Sequence, residues 1–180
     1  LAGLGNIYTD EALHLAKIHP LAGSNTLSIT DVEHLWLAIH SCLQEGIRLL
    51  LDRQLPSGGW NCGNTITFGM EARPTAETTG VGLQALAGLA TEAAVEKSIA
   101  YMQSEVAFLN APMSLAWAIL GLHAWPRTVD RSQERIRQAL ARQEKFGPHD
   151  TVSLSLLLLA WHCATGLVGF LDRMNSQDTK

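Results

Sequence analysis

The sequence is short of cysteine, of basic residues and of long apolar runs, and each shortage narrows what the chain does. Its three cysteines, Cys42, Cys62 and Cys163, lie far apart and form no C-x-x-C pair, so they do not build a zinc site. They fit reduced thiols in a cytoplasm, and no signal peptide argues otherwise. Thirteen Lys and Arg against seventeen Asp and Glu leave a net charge of −4. A dedicated nucleic-acid binder is basic, so any DNA contact here is local and of modest affinity. The longest apolar run, Leu154 to Trp161, is too short to span a bilayer and reads as a buried helix. The sequence also opens on Leu1 rather than Met, as a fragment or an incomplete reading frame would.

What is abundant is Leu and Ala, and with few β-branched residues this predicts an all-α protein. A first helix is expected over 4–16, stopped by Pro20 and the stretch Ala22-Gly23-Ser24-Asn25. Ser28, with Asp31 three residues on, approximates a capping box. From Val32 the apolar positions Leu35, Trp36, Ile39, Leu43, Ile47, Leu50 and Leu51 keep one helical stripe to about residue 53, with Gly46 inside it at a cost of ~1 kcal/mol. After a Gly- and Asn-rich loop from Trp60 to Pro74, helices are expected over 77–89, 92–106, 113–124, 131–145 and 150–164. Those opening at Glu77, Met113 and Thr151 are apolar on nearly all faces and similar to one another. The helices between them carry charge: Glu96 and Lys97 in one, Arg135, Arg137 and Arg142 in the next. Inner helices alternating with outer ones suit an open, curved array of antiparallel helix pairs.

The run Gly3-Leu4-Gly5-Asn6-Ile7-Tyr8, then Glu11-Ala12-Leu13, Ile18-His19-Pro20 and Leu27-Ser28 resembles the helix–two-turns–helix (H2TH) module of formamidopyrimidine-DNA glycosylases. The resemblance covers residues 1–46. It implies that Gly5 and Asn6 hold a DNA phosphate, that Tyr8 and Glu11 brace the motif, and that duplex DNA is the partner. Lys17 is close enough in sequence to add a phosphate contact. The chemistry of the residues agrees, since glycines ahead of a helix admit a close ligand and its free N–H groups favour an anion. The family's catalysis resembles Schiff-base chemistry from an N-terminal proline amine followed by an acidic residue. Leu1-Ala2 supply neither, and no zinc finger follows the module.

Residues 47–165 carry a second resemblance, within a repeat segment expected over 47–167. Gln54-Leu55-Pro56-Ser57-Gly58-Gly59-Trp60 fits Q-x-x-x-G-x-W, the repeat signature of squalene cyclases, and is similar to loops of protein prenyltransferase β subunits. The implied fold is a partial α/α toroid, followed by a polar tail over 168–180. There Gln54, Gly58 and Trp60 are structural: the Gln amide caps a helix end and the Trp ring shields it. Trp117, Trp125 and Trp161 recur on the inner helices, as core packing or as the lining for a polyprenoid. An open edge of such an array invites self-association.

Catalytic signals are missing from both segments. No two aspartates lie within three residues of each other, so the cyclase D-x-D-D acid is absent. Cys163 and His162 are adjacent and do not project together, Asp150 is the nearest acid, and His14, His19, His34, His40, His123 and His149 are scattered. No metal, cofactor or catalytic residue is assigned. Three readings stand: a damaged-DNA-contacting segment of a base-excision-repair glycosylase fused to a helical scaffold, a repeat protein binding a polyprenoid or protein partner, and a fortuitous fusion without selected activity.

Overall fold

A computed structural model describes residues 5–63 and 65–162; Gly3, Cys163 and the tail from residue 168 lie outside that range. The described chain is all-α apart from one small hairpin, and it divides into two compact units between Asp52 and Arg53.

The first unit is a helix pair. Helix α1 spans Asn6–Ala16 and helix α2 spans Ile29–Asp52. Pro20 is not what stops α1. Lys17 already turns into the left-handed region (φ 58°), its N–H donating to His14 O and that of Ile18 to Leu13 O, a Schellman ending. Two turns follow, closed by Ala22 N–H on His19 O and Thr26 N–H on Gly23 O. Helix α2 then opens on the expected capping box. Asp31 N–H donates to Ser28 Oγ (3.2 Å), and the Asp31 carboxylate accepts from Ser28 N–H (2.9 Å) and Oγ (2.7 Å).

Between the helices lies a small core of Ala12, Ala16, Ile18, Ala38 and Cys42, with Leu13, Leu27, Leu35 and Ile39 packed against it. The apolar stripe read from the sequence is only partly buried. Trp36 is 58% exposed and stacks on the His40 ring, Leu43 is exposed, and on α1 Ile7 is 78% exposed. Periodicity marks an apolar face, but small Ala and Cys side chains let α1 approach only its middle.

The second unit holds α3 (Ala76–Leu86), α4 (Glu92–Val106), α5 (Pro112–His123), α6 (Ser132–Ala141), α7 (Gln143–Phe146) and α8 (Thr151–His162). The single helix expected over 131–145 breaks at Arg142. Helix α5 is the centre: Leu115, Ala116, Ala118, Ile119, Leu120, Gly121 and Leu122 are all buried. It packs against α3 on one side and α8 on the other, while α4 touches α3 and α5, and α6 touches α5 and α8. Apolar helices thus stack directly and charged ones lie between neighbours, as the alternating pattern requires. Helix α8 departs from its reading as an inner helix, because Val152 and Leu158 are exposed.

The α3–α5 contact is backbone on backbone. A Cβ at Gly80 would come within 2.3 Å of Trp117 O, and one at Gly121 within 2.9 Å of Gly80 Cα. Polar groups lock the same pair: Gln84 Nε2 donates to Leu120 O, Ser114 Oγ to Glu77, and Trp125 Nε1 to Leu83 O at 2.8 Å. Trp125 is therefore not on an inner helix; it follows α5 and is buried. At the far end of α4, Arg135 donates to Ala107 O (2.9 Å) and Leu109 O (3.0 Å).

The Gln54–Trp60 segment seats on α3 and α4. Gln54 does not reach a helix end; its Nε2 donates to Ser98 Oγ (2.7 Å), midway along α4, and Gly59 N–H donates to the same oxygen (2.7 Å). Gly58 has φ +99°, and any Cβ there would strike Lys97 O at 2.4 Å, so only glycine fits. Trp60 N–H donates to the buried Thr79 Oγ1, and the Trp60 ring lies against Gly82. The expected loop after Trp60 contains a hairpin, β1 (Ile66–Thr67) and β2 (Met70–Glu71), paired Ile66 with Glu71 and Thr67 with Met70.

Two outcomes are expected. Ser98→Ala removes the shared acceptor and leaves two donors beneath the loop unpaired, so urea unfolding should show a loss of about 1–3 kcal/mol. Hydrogen bonds from the Ser28 hydroxyl, then from its backbone N–H, hold the Asp31 carboxyl below its ordinary value near 3.8. A carboxyl depressed in the folded state stabilises above its ordinary value and loses that contribution as pH falls through the folded one. Acid titration followed by circular dichroism should therefore show a loss of helix below pH 4 that is smaller in Asp31→Ala, whose starting stability is lower.

Candidate nucleic-acid interface

The start of α1 leaves backbone donors open among the described residues. Gly5 is the N-cap in an extended conformation with no side-chain capping hydrogen bond, and no described atom beyond its chain neighbours lies within 4 Å of where a Cβ would be. Its carbonyl accepts from Thr9 N–H, which leaves the N–H groups of Asn6, Ile7 and Tyr8 ahead of the first intrahelical bond. The first turn carries no acidic residue, and the Asn6 side chain is exposed beside these donors. A neutral amide and a fan of backbone N–H groups suit a phosphate oxygen.

Lys17 does not join them. It sits at the opposite end of α1, roughly 16 Å away by helical rise. Glu11 is exposed and forms no hydrogen bond or ion pair among the described residues; it lines an open cleft of the first unit with Asn6, Tyr8, Cys42 and Gly46. Burial first, and then the Glu11 charge, pushes the Cys42 thiol above its ordinary range.

Tyr8 explains the one glycine in α2. A Cβ at Gly46 would approach the Tyr8 hydroxyl to 2.8 Å, so the ring lies where a side chain would otherwise stand. Sequence reasoning saw both residues and missed the pairing. An aromatic in the first turn of one helix and a glycine late in the next give no local sign of meeting.

The charge is unevenly divided. Residues 1–52 hold two cations, Lys17 and Arg48, against six carboxylates, Asp10, Glu11, Asp31, Glu33, Glu45 and Asp52. That surplus of four is the whole chain's −4, because the remaining eleven Lys and Arg balance the remaining eleven Asp and Glu. Arg48 is paired with Glu45, its Nε 2.8 Å from Oε2, which leaves Lys17 as the unit's one cation outside an ion pair among the described residues.

No such interface forms elsewhere from the other candidate residues. Gln54, Gly58 and Trp60 are absorbed in the loop seat described above. Asp150 caps α8, accepting from Ser153 N–H (2.9 Å) and Oγ (2.8 Å), and is not turned toward His162. Among the described residues no three His, Cys, Asp or Glu side chains gather as a metal ion needs.

Comparison with known proteins falls on the same region. The family model of the formamidopyrimidine-DNA glycosylase H2TH domain matches residues 1–54. The formamidopyrimidine-DNA glycosylase of Herpetosiphon aurantiacus is 53% identical over 47 residues, covering 26% of this chain and 17% of that protein. That of Pelotomaculum thermopropionicum is 46% identical over 70 residues, covering 38% and 25%. The chain thus spans about a sixth to a quarter of the length of these curated relatives. No solved structure matches it.

Proposed function

We propose that residues 1–54 are the DNA-backbone-binding segment of a base-excision-repair glycosylase, with Gly5 and Asn6 holding a phosphate at the start of α1. The observation that carries this is the match of residues 1–54 to the H2TH domain together with a helix N-terminus at Gly5 and Asn6 that no described side chain caps. Lys17, at the other end of α1, reaches a different phosphate. Tyr8, seated on Gly46, fixes the opening turn of α1 against α2. These residues position DNA; base excision and strand cleavage are not assigned to them.

The second unit is read as a scaffold. Its Q-x-x-x-G-x-W segment is spent on hydrogen bonds to α3 and α4, and Trp60 and Trp125 are buried with their backbone or indole groups engaged. No observation favours a polyprenoid ligand. Among the described residues no helix is long and apolar enough to cross a membrane.

DNA binding by this chain should be weak and only slightly salt-dependent. Lys17 and Arg53, with Arg48 if it is released from Glu45, give the segment a slope of log K against log salt no steeper than about −3. Asn6→Ala removes a donor to a charged oxygen and should lower affinity for duplex DNA containing an abasic analogue about tenfold or more. Fluorescence anisotropy with the full chain measures both. Equal binding by the variant would overturn the assignment.

A further inference from the structure

The hairpin β1–β2 is the least explained part of the molecule. Its tip is apolar on every side: Ile66 is 67% exposed, Phe68 98% and Met70 71%. Ile66 and Met70 belong to successive cross-strand pairs, Ile66 with Glu71 and Thr67 with Met70, so they project from opposite faces of the ribbon. Phe68 occupies the turn between them. A flat partner surface covers one face of a ribbon. This tip needs an environment that surrounds it.

The turn itself is unusual. Phe68 and Gly69 are its two central residues, with φ +52° and +76°. Both positive values are those of a two-residue hairpin turn that favours Asn-Gly. An aromatic residue in the left-handed region costs about 1 kcal/mol relative to an extended one. Local stability therefore disfavours Phe at this position, and no contact among the described residues offsets the cost, since the side chain is 98% exposed.

The base of the hairpin is cationic. Arg53 is exposed and donates from Nη1 to Gly63 O, two residues before the hairpin limb. Arg73 is exposed one residue after the pairing of Ala72 N–H with Thr65 O. Lys97 is bonded to Pro56 O, and the Glu71 carboxyl is held below its ordinary range by hydrogen bonds from the Ser57 hydroxyl and N–H first, with the Lys97 charge adding least. The hairpin's own carboxylate, Glu71, is turned back onto Ser57 and accepts from its N–H at 3.0 Å. Arg73 stands four residues from Gly69, about 13 Å along an extended limb. An apolar tip with Arg73 somewhat above it suits a shallow interfacial insertion, the apolar side chains about 5–10 Å into the headgroup–acyl boundary and the cation at the charged surface.

We propose that the β1–β2 hairpin inserts its Ile66–Phe68–Met70 tip into an anionic lipid surface, with Arg53, Arg73 and Lys97 at the headgroups. It lies on the membrane and does not span it. The inference is independent of the DNA-binding reading, which concerns the other unit.

The test is co-flotation of the full chain with vesicles of phosphatidylcholine and phosphatidylglycerol in equal parts, and with pure phosphatidylcholine. The wild type should float with the mixed vesicles, less with the neutral ones, and less at high salt. Phe68→Asn replaces the ring by the residue that the turn prefers, so its thermal unfolding should match or exceed wild type. Its partition into mixed vesicles should fall about tenfold or more. Arg73→Glu should lower binding to the anionic vesicles and leave that to neutral ones unchanged. Three results would overturn the proposal: no flotation of the wild type, equal flotation of Phe68→Asn, or self-association in sedimentation without lipid that Phe68→Asn abolishes. The last would make the tip a contact between copies.

Discussion

Two helices that meet with no side chains between them fix the second unit. Gly80 lies so close to the carbonyl of Trp117, and Gly121 so close to Gly80, that α3 and α5 have one available spacing. Each glycine weakens its own helix by about 1 kcal/mol. The close approach offsets this by bringing polar groups into range of the opposite backbone, Gln84 on Leu120 and Trp125 on Leu83. Helix α5 held this way presents its remaining faces to α4, α6 and α8. Gly82, one turn-face away from Gly80, takes the Trp60 ring and so joins the preceding loop to the same pair.

Most of the helices are legible in the sequence because their ends are marked by residues whose effects are local. Ser28 and Asp31 form their cap with each other, Pro112 occupies the first turn of α5, and Gly147 follows α7. What stays hidden depends on partners distant in sequence. Gly46 is read as a cost until Tyr8 is found on it. Gln54 is legible as a structural glutamine, but its partner is Ser98, forty-four residues on. The hairpin escapes notice because two-residue strands are too short to show alternation. At the candidate interface, Gly5 and Asn6 are legible from their motif, whereas the distance of Lys17 from them follows only once α1 is known to run unbroken to Ala16.

The H2TH match and the charge balance pull in different directions. A unit of net negative charge repels DNA at long range, so any affinity comes from short-range donors at the opening of α1. Those donors are backbone N–H groups and one amide, which hydrogen-bond a phosphate without neutralising it. On the proposed function, the first unit would be a positioning element, suited to holding DNA that other surfaces attract.

The two described cysteines differ in a way that makes the first unit observable by itself. Cys62 is exposed in the loop of the second unit, while Cys42 sits in the small core between α1 and α2 with its thiol pushed above its ordinary range by burial and then by the Glu11 charge. A thiol reagent reaches Cys62 at once and Cys42 slowly, because Cys42 shows only 6% of its surface at the wall of the open cleft. The slow phase of alkylation then reports on the packing of a core built chiefly from alanines.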